Sequence, residues 1–393
     1  MNSQILYDFS APRIAFGWGR RREVGSLAKS LGDRVLIISG LPDDIAQRVL
    51  AEVESALRAE GVESSRVGSL LHEPDVADVD RTAAELRRRG VRSSDVLLAV
   101  GGGAAIDLAK AVAAMATNRQ SDTVKDYLEN VGRDLKIVEP PLPVLAMPST
   151  AGTGAEATRN AVISSYDPPF KKSLRDERIL PRIALVDPEL TVTVPPHVTA
   201  ASGMDAITQL IESYISRKAQ PIPQALAVQG LKLAVPAIAE AVQNGTSRPA
   251  RERMSYAALL SGMALANSGL GFAHGVAPAL GTHCRVAHGL ACAVMLPVAL
   301  RVNREAREAE LAELSRQVFN LVPRAPATEA VDVFIREIEM LCRRVGVPER
   351  LSELGVKPEQ VPDLVKSSRG SSMTANPREL SDQELTRILE EML

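Results

Sequence analysis

The first half of the chain alternates short β-branched runs with segments of helical period, and few folds are open to such a chain. Arg34-Val35-Leu36-Ile37-Ile38-Ser39 reads as a strand buried on both faces. Residues 43–60 follow as a helix, with Ile45, Val49, Val53 and Leu57 on one side. Residues 78–89 are a second helix, Asp95-Val96-Leu97-Leu98-Ala99-Val100 a second strand, and residues 104–117 the helix after it. Residues 143–147 and 183–186 are further strand candidates. Strands joined through helices pair in parallel and are covered on both faces. After Pro195-Pro196 the pattern changes, and residues 199–217, 222–243, 250–268, 308–320 and 381–392 all read as helices. The expected architecture is an α/β domain with a mainly parallel sheet over residues 1–190, then an all-α domain over residues 191–393.

Composition narrows the function classes. Apolar residues at 45% and charged residues at 24% are ordinary for a globular chain. A formal net charge of -2 offers no basic field, so neither nucleic acid nor an anionic membrane is an expected partner. The run Arg20-Arg21-Arg22 is short and is expected at a solvated surface. Cys284, Cys292 and Cys342 are the only cysteines, an odd number in a chain too long to depend on disulfides, which fits a reducing compartment. The start, MNSQILYDFSAPRIAFG, has no basic stretch ahead of an apolar run, and no window approaches ~18 uninterrupted apolar residues, so the expected location is the cytoplasm.

Two small-residue segments follow strands. In Val100-Gly101-Gly102-Gly103-Ala104-Ala105-Ile106-Asp107, backbone without Cβ leads into a helix whose first N–H groups and positive dipole end can hold a diphosphate. The plainer reading is a tight strand-to-helix turn, but three glycines lose more chain entropy than such a turn requires. The pattern is not the GxGxxG dinucleotide fingerprint. In Met147-Pro148-Ser149-Thr150-Ala151-Gly152-Thr153-Gly154-Ala155-Glu156, hydroxyls and glycines can bond a cofactor, while Thr153 and Glu156 have the spacing of a capping box at a helix start.

Asp205 and Gln209 are four apart in a helical pattern and share a face. His274 and His288 are fourteen apart, about 21 Å on one continuous helix. They can meet at one ion only if the chain turns between them, and Gly281 with Thr282-His283-Cys284-Arg285 offers a place for the turn. An aspartate and two histidines suit zinc or iron acting as a Lewis acid. The alternative is two unrelated histidines, one of them a satisfied core residue.

Taken together these segments resemble the iron-containing alcohol dehydrogenases. Gly101-Gly102-Gly103 with Asp107 and Lys110 is similar to their GGGSxxDxAK motif, and Pro148 to Glu156 to their PTTxGTGSE segment. Asp187-Pro188-Glu189-Leu190-Thr191 matches DPxLT, Gly203-Met204-Asp205-Ala206 matches GxDA, and His274 and His288-Gly289 match two later metal-ligand histidines. Phe16-Gly17 and Asn376-Pro377-Arg378 also fit, so the likeness runs along nearly the whole chain. It implies an α/β dinucleotide-binding domain, a helical domain, and a site in the cleft between them. It implies interconversion of small alcohols with aldehydes or ketones, by hydride transfer with NAD or NADP and a divalent metal, in a homodimer or larger homo-oligomer. Gly101, Gly102 and Gly103 are then the diphosphate cradle, with Asp107 and Gly40 in the same cofactor site. Thr150, Thr153 and Lys171 flank the nicotinamide half. Asp205, His274 and His288 are the metal ligands on which catalysis depends, with position 209 as the remaining one.

The chain departs from the family pattern in informative places. Gln209 stands where the family has a histidine, and its neutral amide oxygen binds zinc or iron more weakly than imidazole. Pro278 occupies the place of a histidine credited with proton relay, leaving the cofactor ribose, water or His283 for that task. Ala104 replaces a serine after the glycines. Gly40, after Ile37-Ile38-Ser39, stands where NAD-preferring members carry an acid, so both NAD and NADP remain open. Two other functions are compatible with the sequence: a metal-independent reductase of the maleylacetate reductase type, and a dinucleotide-binding protein without catalysis.

Overall fold

The computed structural model describes residues 7–320 and 324–393. It comprises two compact units, one formed by Pro12–Val194 and the other by Pro195–Leu393 with residues 7–11. The start of the chain therefore leaves the α/β unit expected over 1–190. Ser10 N donates to Asn267 Oδ1 at 2.7 Å, and Asn267 Nδ2 returns a bond to Ser10 O at 2.8 Å.

The first unit contains β1 (Arg13–Phe16), α1 (Val24–Lys29), β2 (Arg34–Gly40), α2 (Asp43–Ala59), β3 (Glu63–Ser69), α3 (Val76–Arg89), β4 (Asp95–Gly101), α4 (Gly103–Thr117), β5 (Val144–Pro148), β6 (Asn160–Tyr166), β7 (Pro169–Arg175) and β8 (Ile183–Val186). Six strands form one sheet in the order β1-β8-β5-β4-β2-β3, and every pairing in it is parallel. The fold class expected from the alternation is the one found. Side chains of successive strand residues point to opposite faces, so each buried strand feeds two cores. Leu36, Ile38, Leu97, Ala99, Val144 and Ala146 pack with α3 and α4 residues such as Val79, Leu86 and Val112. Val35, Ile37, Val96, Leu98, Leu145 and Met147 pack with Leu27 of α1 and Val49, Val53 and Leu57 of α2.

Four strands carried no clear sequence signal. β1 is four residues long with only Ala15 fully buried, and β3 (ESSRVGS) is a polar, largely exposed strand at the sheet edge. β6 and β7 form a separate antiparallel pair. The paired segment after β5 is also not a capped helix. Only the short turn Ala155–Ala157 is helical, Gly154 precedes it at φ 61°, and Glu156 is buried rather than capping.

The connections reverse direction across the sheet between β2 and β4. From β2 the chain goes to β3 on one side, then returns past β2 to place β4 and β5 on the other. Such a switch point opens a crevice at the carboxyl ends of the two strands, the usual ligand position in open parallel sheets. Gly40 and Gly101 are paired there, at the last residues of β2 and β4.

The second unit is helical: α5 (Pro196–Ile215), α6 (Pro221–Gln243), α7 (Arg248–Ala266), α8 (Phe272–Cys284), α9 (His288–Asn303), α10 (Glu308–Val318), α11 (Ala327–Arg344), α12 (Val361–Ser367), α13 (Ser371–Thr374) and α14 (Asp382–Glu391). α5 begins at Pro196, whose fixed φ and missing N–H suit a first helical position. α6 is long and apolar enough by composition to cross a membrane, and here it packs on α5 and α7.

Candidate active site

At the β2–β4 crevice the glycines have close neighbours. A Cβ on Gly101 would fall 2.7 Å from the Cα of Gly40, and one on Gly40 would fall 2.7 Å from Ala105 Cβ. A Cβ on Gly103 would fall 2.5 Å from Thr153 Oγ1, whereas at Gly102 the nearest atom, Thr150 Oγ1, is 3.4 Å away. The two small-residue segments therefore face each other. Gly101 and Gly103 are required by packing, while Gly102 stands at the N-cap of α4 with no side-chain cap. The helix begins with free N–H groups and a positive dipole end, an arrangement suited to a diphosphate.

The remaining expected cofactor residues lie in the same unit. Asp107 Oδ2 accepts from Val162 N at 3.1 Å, and its Oδ1 lies 3.4 Å from Lys110 Nζ. Lys110, with none of its surface exposed, also donates to Thr158 Oγ1 and Asn160 O, each at 2.8 Å. These bonds tie α4 to β6. Burial pushes the Asp107 carboxyl up and the Lys110 ammonium down, since each charge is costly to desolvate. Lys171 pairs with Glu73 at 2.7 Å. Arg21, expected at a solvated surface, bonds Asp187 Oδ2 at 3.0 Å as well as Glu52 and Glu189, so the Asp187-Pro188 motif anchors the region after β1.

In the helical unit, Asp205, His274, His288 and Cys292 each offer one donor atom, and all four atoms lie within 4.8 Å of one another. The histidines meet because the chain turns between them. Arg285 takes the left-handed conformation at φ 59° and ends α8, and His288 opens α9 after only two more residues. Gly281 is not part of the break, since it lies inside α8. The two imidazole centroids are 5.5 Å apart. Gly289 allows the approach of α9 to α5: a Cβ there would fall 2.7 Å from the carbonyl oxygen of Ala201.

Two residues that sequence reasoning passed over complete the cluster. Glu212 lies seven residues after Asp205, on the same face of α5. It accepts from the N–H groups of Gly271 at 3.0 Å and Ala273 at 2.6 Å, at the start of α8, and its Oε2 lies 2.7 Å from His274 Nδ1. His274 Nε2 then faces Asp205 Oδ1 at 3.1 Å. Cys292 is four residues after His288, one turn along α9, with Sγ 3.7 Å from His288 Nε2. Helical spacing from Asp205 and from His288 was the available signal for both. Asn376 supports the same helix start by accepting from Phe272 N at 3.0 Å, which gives the Asn376-Pro377-Arg378 motif a positioning role.

Gln209 is buried beside Asp205 but does not turn its oxygen to the cluster. Its Nε2 donates to Asp205 Oδ2 at 3.3 Å, and its Oε1 accepts from Ser261 Oγ at 2.7 Å. Burial opposes charge on Asp205, yet the bond to His274 and the nearby His288 outweigh it and hold the carboxyl below its usual range. Burial likewise opposes charging of His274, but Cys292, Asp205 and Glu212 around it outweigh burial and hold its pKa well above the ordinary value. Burial pushes the Cys292 thiol up to about 12. Two buried carboxylates around one imidazole thus favour positive charge at this point. The donor set, one carboxylate oxygen, two ring nitrogens and a sulfur, suits zinc or iron.

The chain is similar to known proteins over its whole length. The family model described as iron-containing alcohol dehydrogenase matches residues 11–188, and that of the Fe-containing alcohol dehydrogenase family, C-terminal, matches residues 199–393. The NAD-dependent methanol dehydrogenase of Bacillus methanolicus is 31% identical, over 98% of this chain and 99% of its own. The 1,3-propanediol dehydrogenase of Klebsiella pneumoniae is 30% identical, over 98% of each chain. The solved structure of an alcohol dehydrogenase from Oenococcus oeni superposes with a TM-score of 0.91 at 30% identity, covering 99% of this chain and all of that one. The chain belongs to the iron-containing alcohol dehydrogenase family of oxidoreductases.

Proposed function

We propose that this protein interconverts a small alcohol and its aldehyde or ketone, with NAD or NADP and a divalent cation held by Asp205, His274 and His288. The observation that carries this reading is the convergence of those three side chains, from α5, α8 and α9, on one buried point. The alcohol-oxidising relatives support the substrate class, since their names specify methanol and 1,3-propanediol. A nicotinamide cofactor bound at Gly101 to Gly103 would supply the hydride chemistry, and a cation held by Asp205, His274 and His288 would supply Lewis acidity toward the substrate oxygen.

The chain's own residues have separate tasks. Gly102 and the first N–H groups of α4 receive the cofactor diphosphate, and Gly40, Gly101 and Gly103 keep the crevice floor free of side chains. Thr150, Thr153 and Lys171 line the nicotinamide side, and Asp107 with Lys110 holds α4 in place. Glu212 sets the ring orientation of His274, leaving Nε2 for the cation. Pro278 has no titratable group, so the proton does not pass through that position. The enzyme acts as a cytoplasmic homodimer or larger homo-oligomer in this reading.

Elemental analysis of protein purified without chelator, paired with NADH and NADPH oxidation over small aldehydes with and without added Zn(II) or Fe(II), tests it. Activity that tracks metal content supports the reading. Full activity in metal-free protein would instead identify a metal-independent reductase.

A further inference from the structure

Asp205, His274 and His288 supply three donors, and a fourth protein donor can join them where the ion expands to a fifth position for the substrate oxygen. Two buried side chains are near enough to provide it. Gln209 is committed elsewhere: Oε1 accepts from Ser261 Oγ, and Nε2 donates to Asp205 Oδ2. The carboxylate fixes this orientation, because the reversed amide would set two oxygens against each other at about that 3.3 Å spacing. Gln209 therefore orients the aspartate from outside the donor set.

Cys292 has the opposite disposition. It is fully buried, and its sulfur lies 3.7 Å from His288 Nε2 and within 4.8 Å of every other donor. Donors bound about 2.0–2.3 Å from a tetrahedral ion lie about 3.5 Å from each other. The 3.1 Å between His274 Nε2 and Asp205 Oδ1 and the 3.7 Å between Cys292 and His288 bracket that value.

We propose that Cys292 supplies a thiolate ligand in place of Gln209, making the centre a carboxylate, two imidazoles and a thiolate. This rests on the reading that an ion is held by Asp205, His274 and His288. Ligand chemistry favours it, since thiolate sulfur is a strong donor to zinc or iron and a neutral amide oxygen a weak one. The exchange is redox-neutral. The S–H bond is replaced by a sulfur–metal bond, and the thiol proton, with any proton on His274 Nε2, leaves to solvent.

The test is the absorption spectrum of full-length protein stripped of metal and loaded with one equivalent of Co(II). The wild type is expected to show a near-ultraviolet thiolate-to-cobalt charge-transfer band, which Cys292→Ser loses and Gln209→Ala keeps. Bound cobalt without that band in the wild type, or a band that survives in Cys292→Ser, overturns the thiolate ligand and leaves the three-donor site standing. Failure of the wild type to bind cobalt removes both readings. If Cys292→Ser does not fold, Cys284→Ser and Cys342→Ser decide the matter: both keeping the band supports Cys292, and either losing it overturns the proposal.

Discussion

Glu212 Oε2 lies 2.7 Å from Nδ1 of His274, and this contact decides which nitrogen of the ring faces Asp205. A ring that donates Nδ1–H to a carboxylate presents Nε2 as its lone-pair donor. Glu212 is itself held by the N–H groups of Gly271 and Ala273, so the ring orientation is set by the backbone at the start of α8. Glu212→Gln places an amide that cannot serve the four N–H donors of Gly271, Ala273 and His274 as the carboxylate does. Zinc affinity, measured by competition with a chromophoric chelator, is expected to fall about 10- to 100-fold, the usual effect of losing such a partner.

Asp205→Ala and His274→Ala test the centre directly. Lewis-acid assistance contributes several kcal/mol to a barrier, so turnover is expected to drop by about 10³-fold or more. Circular dichroism and cofactor binding should stay near wild type, because the glycines of the proposed diphosphate site, Gly40 and Gly101 to Gly103, all lie in the Pro12–Val194 unit. Turnover within tenfold of wild type in both variants would remove the metal from the mechanism.

The three glycines after β4 separate packing from ligand binding. Gly101→Ala puts a methyl 2.7 Å from the Gly40 backbone, and is expected to cost about 1–3 kcal/mol in denaturant unfolding, as overpacking does. Gly102→Ala meets nothing closer than 3.4 Å and has an ordinary φ of -70°, so it loses only the N-cap preference for glycine, about 1 kcal/mol or less. In the proposed diphosphate site its added methyl would meet the phosphate. Weaker NADH binding by Gly102→Ala, with the fold retained, is the outcome expected of a phosphate cradle, and equal binding would mark a plain turn.

Glu156 gives a pH signature in the other unit. Burial raises its carboxyl to about 7 from an unfolded value near 4.5, with Lys110 partly opposing the rise. The folded chain therefore holds a proton that the unfolded chain releases. The contribution is complete below about pH 4.5 and is lost as pH rises through about 7, a change of up to about 3 kcal/mol. Glu156→Gln removes this dependence. Urea unfolding at pH 5 and pH 8 should show the variant gaining stability relative to wild type at the higher pH, and parallel curves would refute the assignment.

The alternation of buried runs with helical segments was enough to place β2, α2, β4 and α4 within a residue or two, because a strand covered on both faces is apolar throughout. β3 was not legible, since an edge strand makes the same backbone bonds with polar side chains that carry no pattern. Asp205, His274 and His288 stood out as residue types capable of binding a metal, and their motifs resembled a known family.

What the amino-acid order determined by itself was local: which residues could pair as strands, wind as helices, or donate to an ion. Whether donors fourteen or more residues apart reach one point depends on where the chain turns and how closely helices approach. Arg285 and Gly289 settle that for His288, and the start of α8 settles it for His274. The opposite fates of Gln209 and Cys292 were likewise invisible in sequence. Each lies one helical turn from a donor, and only the position of Ser261 on α7, fifty-two residues beyond Gln209, turns the amide oxygen away while the thiol faces inward.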